Sequence, residues 1–197
     1  MYSLIELDNI IETNMQDAIE QVITTTSFPW FYSNGTIDPK TIDPKFILEQ
    51  GINPQQFVHN VIIDSQVNTM FFNLIEPILN KISEHLKKDI EVKKAKFNFL
   101  PNTSNDTHHY PHCDISVEDS DMGLMKTMIY YVNVSDGPTY LFDEFGPTTN
   151  TSASVINKIN PKKGKAIIFN SNQFHSSSSP IKYENRIVLN VVFKIVN

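Results

Sequence analysis

The segment His108-His109-Tyr110-Pro111-His112-Cys113-Asp114 contains a His-X-Asp triplet, and a further histidine, His175, stands far downstream. Residues two apart on an extended strand project to one face, so His112 and Asp114 can converge on one ion while Cys113 points away. His175 must arrive from a distant strand, and after Ile167-Ile168-Phe169 it falls near a strand end or loop. Two imidazoles and one carboxylate on one face leave about three positions of an octahedral divalent ion open to other ligands. Eleven residues beyond His175 comes Arg186, the one arginine in a chain with fifteen lysines. Lysine is a point charge on a flexible stem. Arginine offers a planar fork that grips a carboxylate through two parallel hydrogen bonds. A metal-ligand pattern is thus followed by an anion anchor.

Each piece alone is cheap, since a chance His-X-Asp arises in about a third of chains of this composition. The weight lies in the order of the elements that would carry the pieces. Ala95, Phe97 and Phe99 alternate with Lys94, Lys96 and Asn98, as in a strand with one buried face. Lys93-Lys94-Lys96 and Lys162-Lys163-Lys165 are expected on solvated strand ends or turns. After the His-rich segment, 126–133 reads as a strand closed by Ser135-Asp136-Gly137-Pro138, with Tyr140–Asp143 as its hairpin partner. Strands over about 153–159 and 165–170 flank the turn Asn160-Pro161-Lys162-Lys163-Gly164, and Arg186–Val196 is an almost continuous apolar strand.

The first ninety residues differ in pattern. Met15, Ala18, Ile19, Val22 and Ile23 share a helical face over 13–25, and Thr13 with Gln16 fits a capping box. A second amphipathic helix over about 65–88 aligns Phe71, Leu74, Ile75, Ile78, Leu79 and Ile82, with Pro77 expected to kink or restart it. Between them, Phe28-Pro29-Trp30-Phe31-Tyr32 is an aromatic run expected mainly in the core. The immediate duplication Thr36–Lys40 and Thr41–Lys45 is expected to lengthen a surface loop. The resulting fold class is mainly β with N-terminal helices buttressing a sandwich or barrel of short strands.

At 197 residues, 40% hydrophobic, the chain is long enough for one sizeable core, and a single domain over 1–197 is expected. A net charge of −6 disfavours nucleic acid or an anionic membrane as partner. Cys113 is the only cysteine, which suits a reducing compartment, and no basic residue precedes Lys40, so a charged signal-peptide start is lacking. No apolar run approaches the roughly 20 residues needed to cross a bilayer. The expectation is a soluble, intracellular (cytoplasmic) protein whose oligomeric state stays open.

Residues 91–197 resemble the double-stranded β-helix (a jelly-roll, cupin-like fold) of the iron(II)/2-oxoglutarate-dependent dioxygenases, in particular the prolyl-4-hydroxylase-like branch. The resemblance rests on His112-Cys113-Asp114, Tyr130-Tyr131-Val132-Asn133, Pro161 through Phe169, His175 and Arg186. It implies that His112, Asp114 and His175 hold Fe(II) and that Arg186 binds the far carboxylate of 2-oxoglutarate. Tyr131 is similar to the residue whose hydroxyl supports that carboxylate. Asn190, four residues beyond Arg186 and on its face, is expected in the cosubstrate pocket. On this resemblance 91–197 is the catalytic core and 1–90 its support, with O2 as oxidant and ascorbate as auxiliary reductant. The implied reaction hydroxylates a C–H bond of a peptide or small-molecule substrate, releasing succinate and CO2. Two readings stay open beside it: an AlkB-like nucleic-acid demethylase, and a cupin-like metal-binding module that never uses oxygen. His108 and His109 are read as loop residues, and His59 and His85 as structural ones.

Overall fold

A computed structural model describes residues 4–37, 51–105, 107–115, 123–146 and 154–196. The strands are β1 (Ile5–Leu7), β2 (Phe31–Ser33), β3 (Gln56–Ile63), β4 (Gln66–Val67), β5 (Asp89–Pro101) and β6 (Met125–Tyr131). They continue as β7 (Thr139–Phe145), β8 (Val155–Ile159), β9 (Ala166–Asn170), β10 (Gln173–Ser177) and β11 (Asn185–Val196). Helix α1 (Thr13–Ile23) follows β1, and helix α2 (Phe72–Leu86) precedes β5. The strands form two antiparallel sheets. The larger runs β1-β9-β6-β11-β5-β3-β2, with β4 on β3; the smaller runs β10-β7-β8.

Period-two alternation divides the work of the large sheet between its faces. Ile187, Leu189 and Val191 of β11, Phe97 of β5 and Tyr130 of β6 join one core cluster with Ile19 and Ile23 of α1 and with Ile75, Ile78, Leu79 and Ile82 of α2. The alternate residues, Ile129, Tyr131 and Val188, join Leu141 of β7 and Ile159 of β8 in a second cluster between the sheets. This is a jelly roll, the double-stranded β-helix, with helices packed on the outer face of its large sheet. β11 reads as a continuous apolar run because both of its faces are covered.

Helix α2 runs unbroken from Phe72 to Leu86 with Pro77 inside it. The missing hydrogen bond and ring clash cost about 3 kcal/mol, while each of its four buried aliphatic side chains contributes about 1.5–3 kcal/mol, so packing wins. The helix starts later than the periodicity implies. Asp64 and Ser65, both at positive φ, make a two-residue turn between β3 and β4 instead.

Other local expectations give way to tertiary contacts. The capping box at Thr13 does not form: the residue before the helix is Glu12, without a side-chain cap. Gln16 is buried and donates to the Ile11 carbonyl at 2.9 Å. Tyr140–Asp143 is not the hairpin partner of β6, because both edges of β6 are taken by β11 and β9. The chain crosses instead to the small sheet, where β7 lies between β8 and β10. Four strands also lie within the first ninety residues, a stretch whose pattern reads as helix and loop. Trp30 packs on Phe28 and Phe99, whereas Tyr32 is exposed. The duplication over 36–45 lies outside the described residues beyond Ile37.

Gly164, in the turn between β8 and β9, has φ +80° and sits against Gln16. A Cβ there would stand 2.3 Å from the Gln16 side-chain oxygen. Gly164→Ala is therefore expected to destabilise the fold by about 1–2 kcal/mol from the backbone alone, read as a lower urea midpoint. An unchanged midpoint would refute the tight fit.

Candidate metal centre and anion pocket

The His-X-Asp segment is held by its backbone rather than by membership of a long strand. His112 N–H donates to the His175 carbonyl and His175 N–H to the His112 carbonyl, each at 2.9 Å, forming an isolated antiparallel bridge. Asp114 N–H then donates to the Ser171 carbonyl at 3.0 Å. Since His175 lies on β10, these bonds bring segments sixty residues apart into register. The donor atoms of His112, Asp114 and His175 all lie within 4.8 Å of one another.

Each side chain is oriented by a neighbour. His175 Nδ1 lies 3.1 Å from the Gln173 carbonyl, and His112 Nδ1 lies 3.5 Å from the Tyr110 carbonyl. A carbonyl can only accept, so these contacts place the protons on Nδ1 and leave both Nε2 lone pairs for the site. Thr127 of β6 donates its hydroxyl to Asp114 Oδ2 at 2.6 Å. Burial and the nearby His175 push His112 down to about 3. Burial raises the Asp114 carboxyl, but His175, His112 and the Thr127 hydroxyl outweigh it and hold it below the ordinary carboxylate range. A neutral His112 imidazole beside an ionised Asp114 carboxylate is the protonation state that ligates a metal.

His175 Nε2 is buried without a hydrogen-bond partner, yet lies 3.5 Å from Asp114 Oδ2. A lone pair facing a carboxylate at that distance is repulsive unless a cation lies between them. Two nitrogens and one carboxylate oxygen suit a divalent transition metal such as iron. The residues present therefore fit such an ion.

The same cavity reaches Arg186, which is 3% exposed. Its Nε donates to the Gly137 carbonyl at 2.8 Å and its Nη2 to the Thr139 hydroxyl oxygen at 2.9 Å. That oxygen also accepts the Tyr131 hydroxyl at 2.7 Å, and the guanidinium carbon lies 5.6 Å from the Tyr131 ring centroid. No carboxylate among the described residues pairs with Arg186. A buried cation held only by neutral acceptors is poised for an incoming anion. Gly137 is needed here, since a Cβ on it would stand 2.4 Å from the Ser178 carbonyl oxygen.

Five of the six residues singled out from sequence line this cavity: His112, Asp114, His175, Arg186 and Asn190. Tyr131 stands behind Arg186 with its hydroxyl engaged by Thr139. Sequence reasoning missed Thr139, Thr127 and Lys96. Lys96 is not on a solvated strand end but in the cavity with His112 and Asp114. Burial pushes its pKa down while Asp114 pulls it up. His109 is likewise no solvated loop residue. It is 1% exposed, with its ring nitrogens 3.0 Å from the Ser177 hydroxyl and 3.4 Å from that of Ser179.

Comparison with solved structures identifies the architecture as that of 2-oxoglutarate/Fe(II) oxygenases. A 2OG-Fe(II) oxygenase family oxidoreductase from Burkholderia pseudomallei superposes with a TM-score of 0.62 at 11% identity, covering 97% of this chain and 84% of that one. The non-heme alpha-ketoglutarate-dependent epimerase SnoN of nogalamycin biosynthesis gives 0.64 at 10% identity, over 98% and 78%. A prolyl hydroxylase from Trichoplax adhaerens, in complex with a hypoxia-inducible-factor peptide fragment, gives 0.61 at 14% identity, over 97% and 83%. At these identities the likeness establishes a shared fold. No protein-family model and no curated protein matches the sequence.

Two outcomes follow from this geometry. Thr127→Val removes the hydroxyl that fixes Asp114 and is expected to weaken Fe(II) or Zn(II) binding about 10–100-fold, measured by metal titration; unaltered affinity would remove Thr127 from the site. Burial and the Arg186 charge push His109 down to about 3. An unfolded histidine titrates near 6.5, so between those values the unfolded chain binds the extra proton. The share of stability owed to His109 should be full above pH 6.5 and decline below it, by about 2 kcal/mol at pH 5. His112, held equally low, adds to the same slope, so His109→Asn should lessen it in urea denaturation without removing it, and an unchanged slope would exclude His109 as a source.

Proposed function

We propose that this chain is an Fe(II)- and 2-oxoglutarate-dependent dioxygenase that hydroxylates a C–H bond of a peptide side chain, such as proline, or of a small molecule. The observation that carries the reading is one cavity holding both unmet demands: the orphaned His175 Nε2 beside Asp114, and Arg186 without a carboxylate. The shared fold supports it, as does the range of compounds bound by proteins of that fold, from a peptide to nogalamycin.

His112, Asp114 and His175 would hold the iron, with Thr127 and the backbone carbonyls of Tyr110 and Gln173 fixing their orientation. Arg186, aligned by Gly137 and Thr139 and backed by Tyr131, would hold the far carboxylate of 2-oxoglutarate, with Asn190 on the same cavity wall. Bound iron supplies oxygen activation coupled to oxidative decarboxylation of that cosubstrate. Turnover would consume O2 and 2-oxoglutarate and yield succinate, CO2 and the hydroxylated product. Ascorbate would act as the auxiliary reductant. The protein's own part is to orient the reactants.

Anaerobic reconstitution with iron and 2-oxoglutarate, followed by a pulse of oxygen, should release succinate even without a substrate. Asp114→Ala should abolish that release. Arg186→Lys should weaken use of 2-oxoglutarate about ten- to a hundredfold, the loss of one charge-assisted bond of about 1.5–3 kcal/mol. Zinc held tightly with no oxygen-dependent succinate would favour a non-oxygenase metal module.

A further inference from the structure

On the cavity face of the large sheet, one cross-strand row reads Asn60 of β3, Lys96 of β5, Asn190 of β11 and Ile129 of β6, each residue paired with the next. The neighbouring row holds Asn98, paired with Val188. Lys96 lines the cavity that contains the three metal-site residues and also the adjoining hollow of about 320 Å³ that opens past Asn60 and Thr36. It is partly buried and makes no ion pair or hydrogen bond with a described residue; Asp114 is the carboxylate whose charge reaches it. Among the described residues, Lys81 and Lys94 also line hollows, but both are exposed. Lys96 faces the chemistry.

A second polar group beside it is also unmet. Asn98 Nδ2 donates to Gln56 Oε1 at 2.8 Å, and Gln56 Nε2 donates to the Gly35 carbonyl at 3.0 Å. These bonds fix the Asn98 amide and leave its Oδ1 buried without a partner. A cation and an amide oxygen two residues apart on one strand face lie about 7 Å apart at the backbone. Both residues line the same cavity.

Charge balance indicates what the lysine awaits. The following step rests on the function proposed above. A divalent ion with one carboxylate ligand carries one net positive charge, and Arg186 adds another. The dianionic cosubstrate cancels both, leaving the charge on Lys96 over in a low-dielectric cavity, where an unpaired charge is costly.

We infer that Lys96, with Asn190 beside it and the Asn98 amide oxygen next to it, forms a subsite for the carboxylate of an amino-acid-type substrate. The lysine takes the carboxylate, Asn190 supplies an amide donor, and Asn98 Oδ1 accepts an N–H from the same molecule. The substrate is thereby held from the β5 side of the cavity, opposite the strand that brings His175.

The test uses full-length protein carrying Zn(II) and 2-oxoglutarate, so that binding is read without turnover. Calorimetry first establishes whether 2-oxoglutarate binds, then measures the free L-amino acids against their α-carboxamides. At least one acid is expected to bind tenfold or more tightly than its amide. Lys96→Met should reduce that ratio to within twofold, while Lys96→Arg, which keeps the charge, should retain a clear preference. Thermal melts confirm that the variants are folded. Protein that binds 2-oxoglutarate but does not distinguish any acid from its amide overturns the subsite and leaves the oxygenase reading intact. A preference that survives in Lys96→Met also overturns it, as does a Lys96→Met variant that loses 2-oxoglutarate rather than the acid. Failure of wild-type protein to bind 2-oxoglutarate sinks the oxygenase reading itself, separately from the acid-to-amide ratio.

Discussion

The paired backbone hydrogen bonds between His112 and His175 decide whether there is a site at all. Ligands separated by some sixty residues can meet only if the segments carrying them are locked in register, and side-chain contacts alone would leave each imidazole free to swing. Here the exchange of two N–H···O=C bonds fixes the Cα positions, and the Asp114 N–H bonded to Ser171 anchors the backbone that carries the carboxylate. The side-chain bonds to Gln173, Tyr110 and Thr127 then set the direction of each donor atom. Because β10 lies against β7 and the large sheet carries Thr127, the ligand set is held by both sheets at once.

At the other end of the cavity the constraint is electrostatic. Burying a guanidinium without a counter-ion is unfavourable, and three features lessen the cost: the Gly137 carbonyl, the Thr139 hydroxyl oxygen and the face of the Tyr131 ring. All three are neutral, so they orient the fork without quenching its charge. Tyr131 lies against the guanidinium through its ring, and its hydroxyl donates to the Thr139 oxygen that also accepts from Arg186.

Much of this was legible in the residues, for identifiable reasons. β11 and the two helices announce themselves because their periodicity is uninterrupted. The His-X-Asp spacing, His175 and Arg186 stand out because those residue types are scarce and chemically specific. β3 was not legible: a bulge between Asn60 and Ile62 breaks its alternation, and polar Gln56, His59 and Asn60 interrupt its apolar residues. The partner of β7 could not be read locally, because it depends on which edges of β6 are already occupied. Lys96 misleads for a related reason. A lysine on an alternating strand looks solvent-facing unless one knows that a second sheet covers that side. Thr127 shares the face of Ile129 and Tyr131, a signal present in the alternation, but a hydroxyl among aliphatic neighbours carries no charge to draw attention.

The strict alternation of β5 has an evolutionary consequence. Its odd positions, Ala95 and Phe97, are packed against the helices, while Lys96 and Asn98 look into the cavity. Selection can therefore exchange the residues at 96 and 98, altering the lining of the cavity, without opening a hole in the hydrophobic layer behind them. Innovation and folding are insulated from each other by a single peptide unit, which gives one physical reason why sequences as divergent as these can retain a common scaffold.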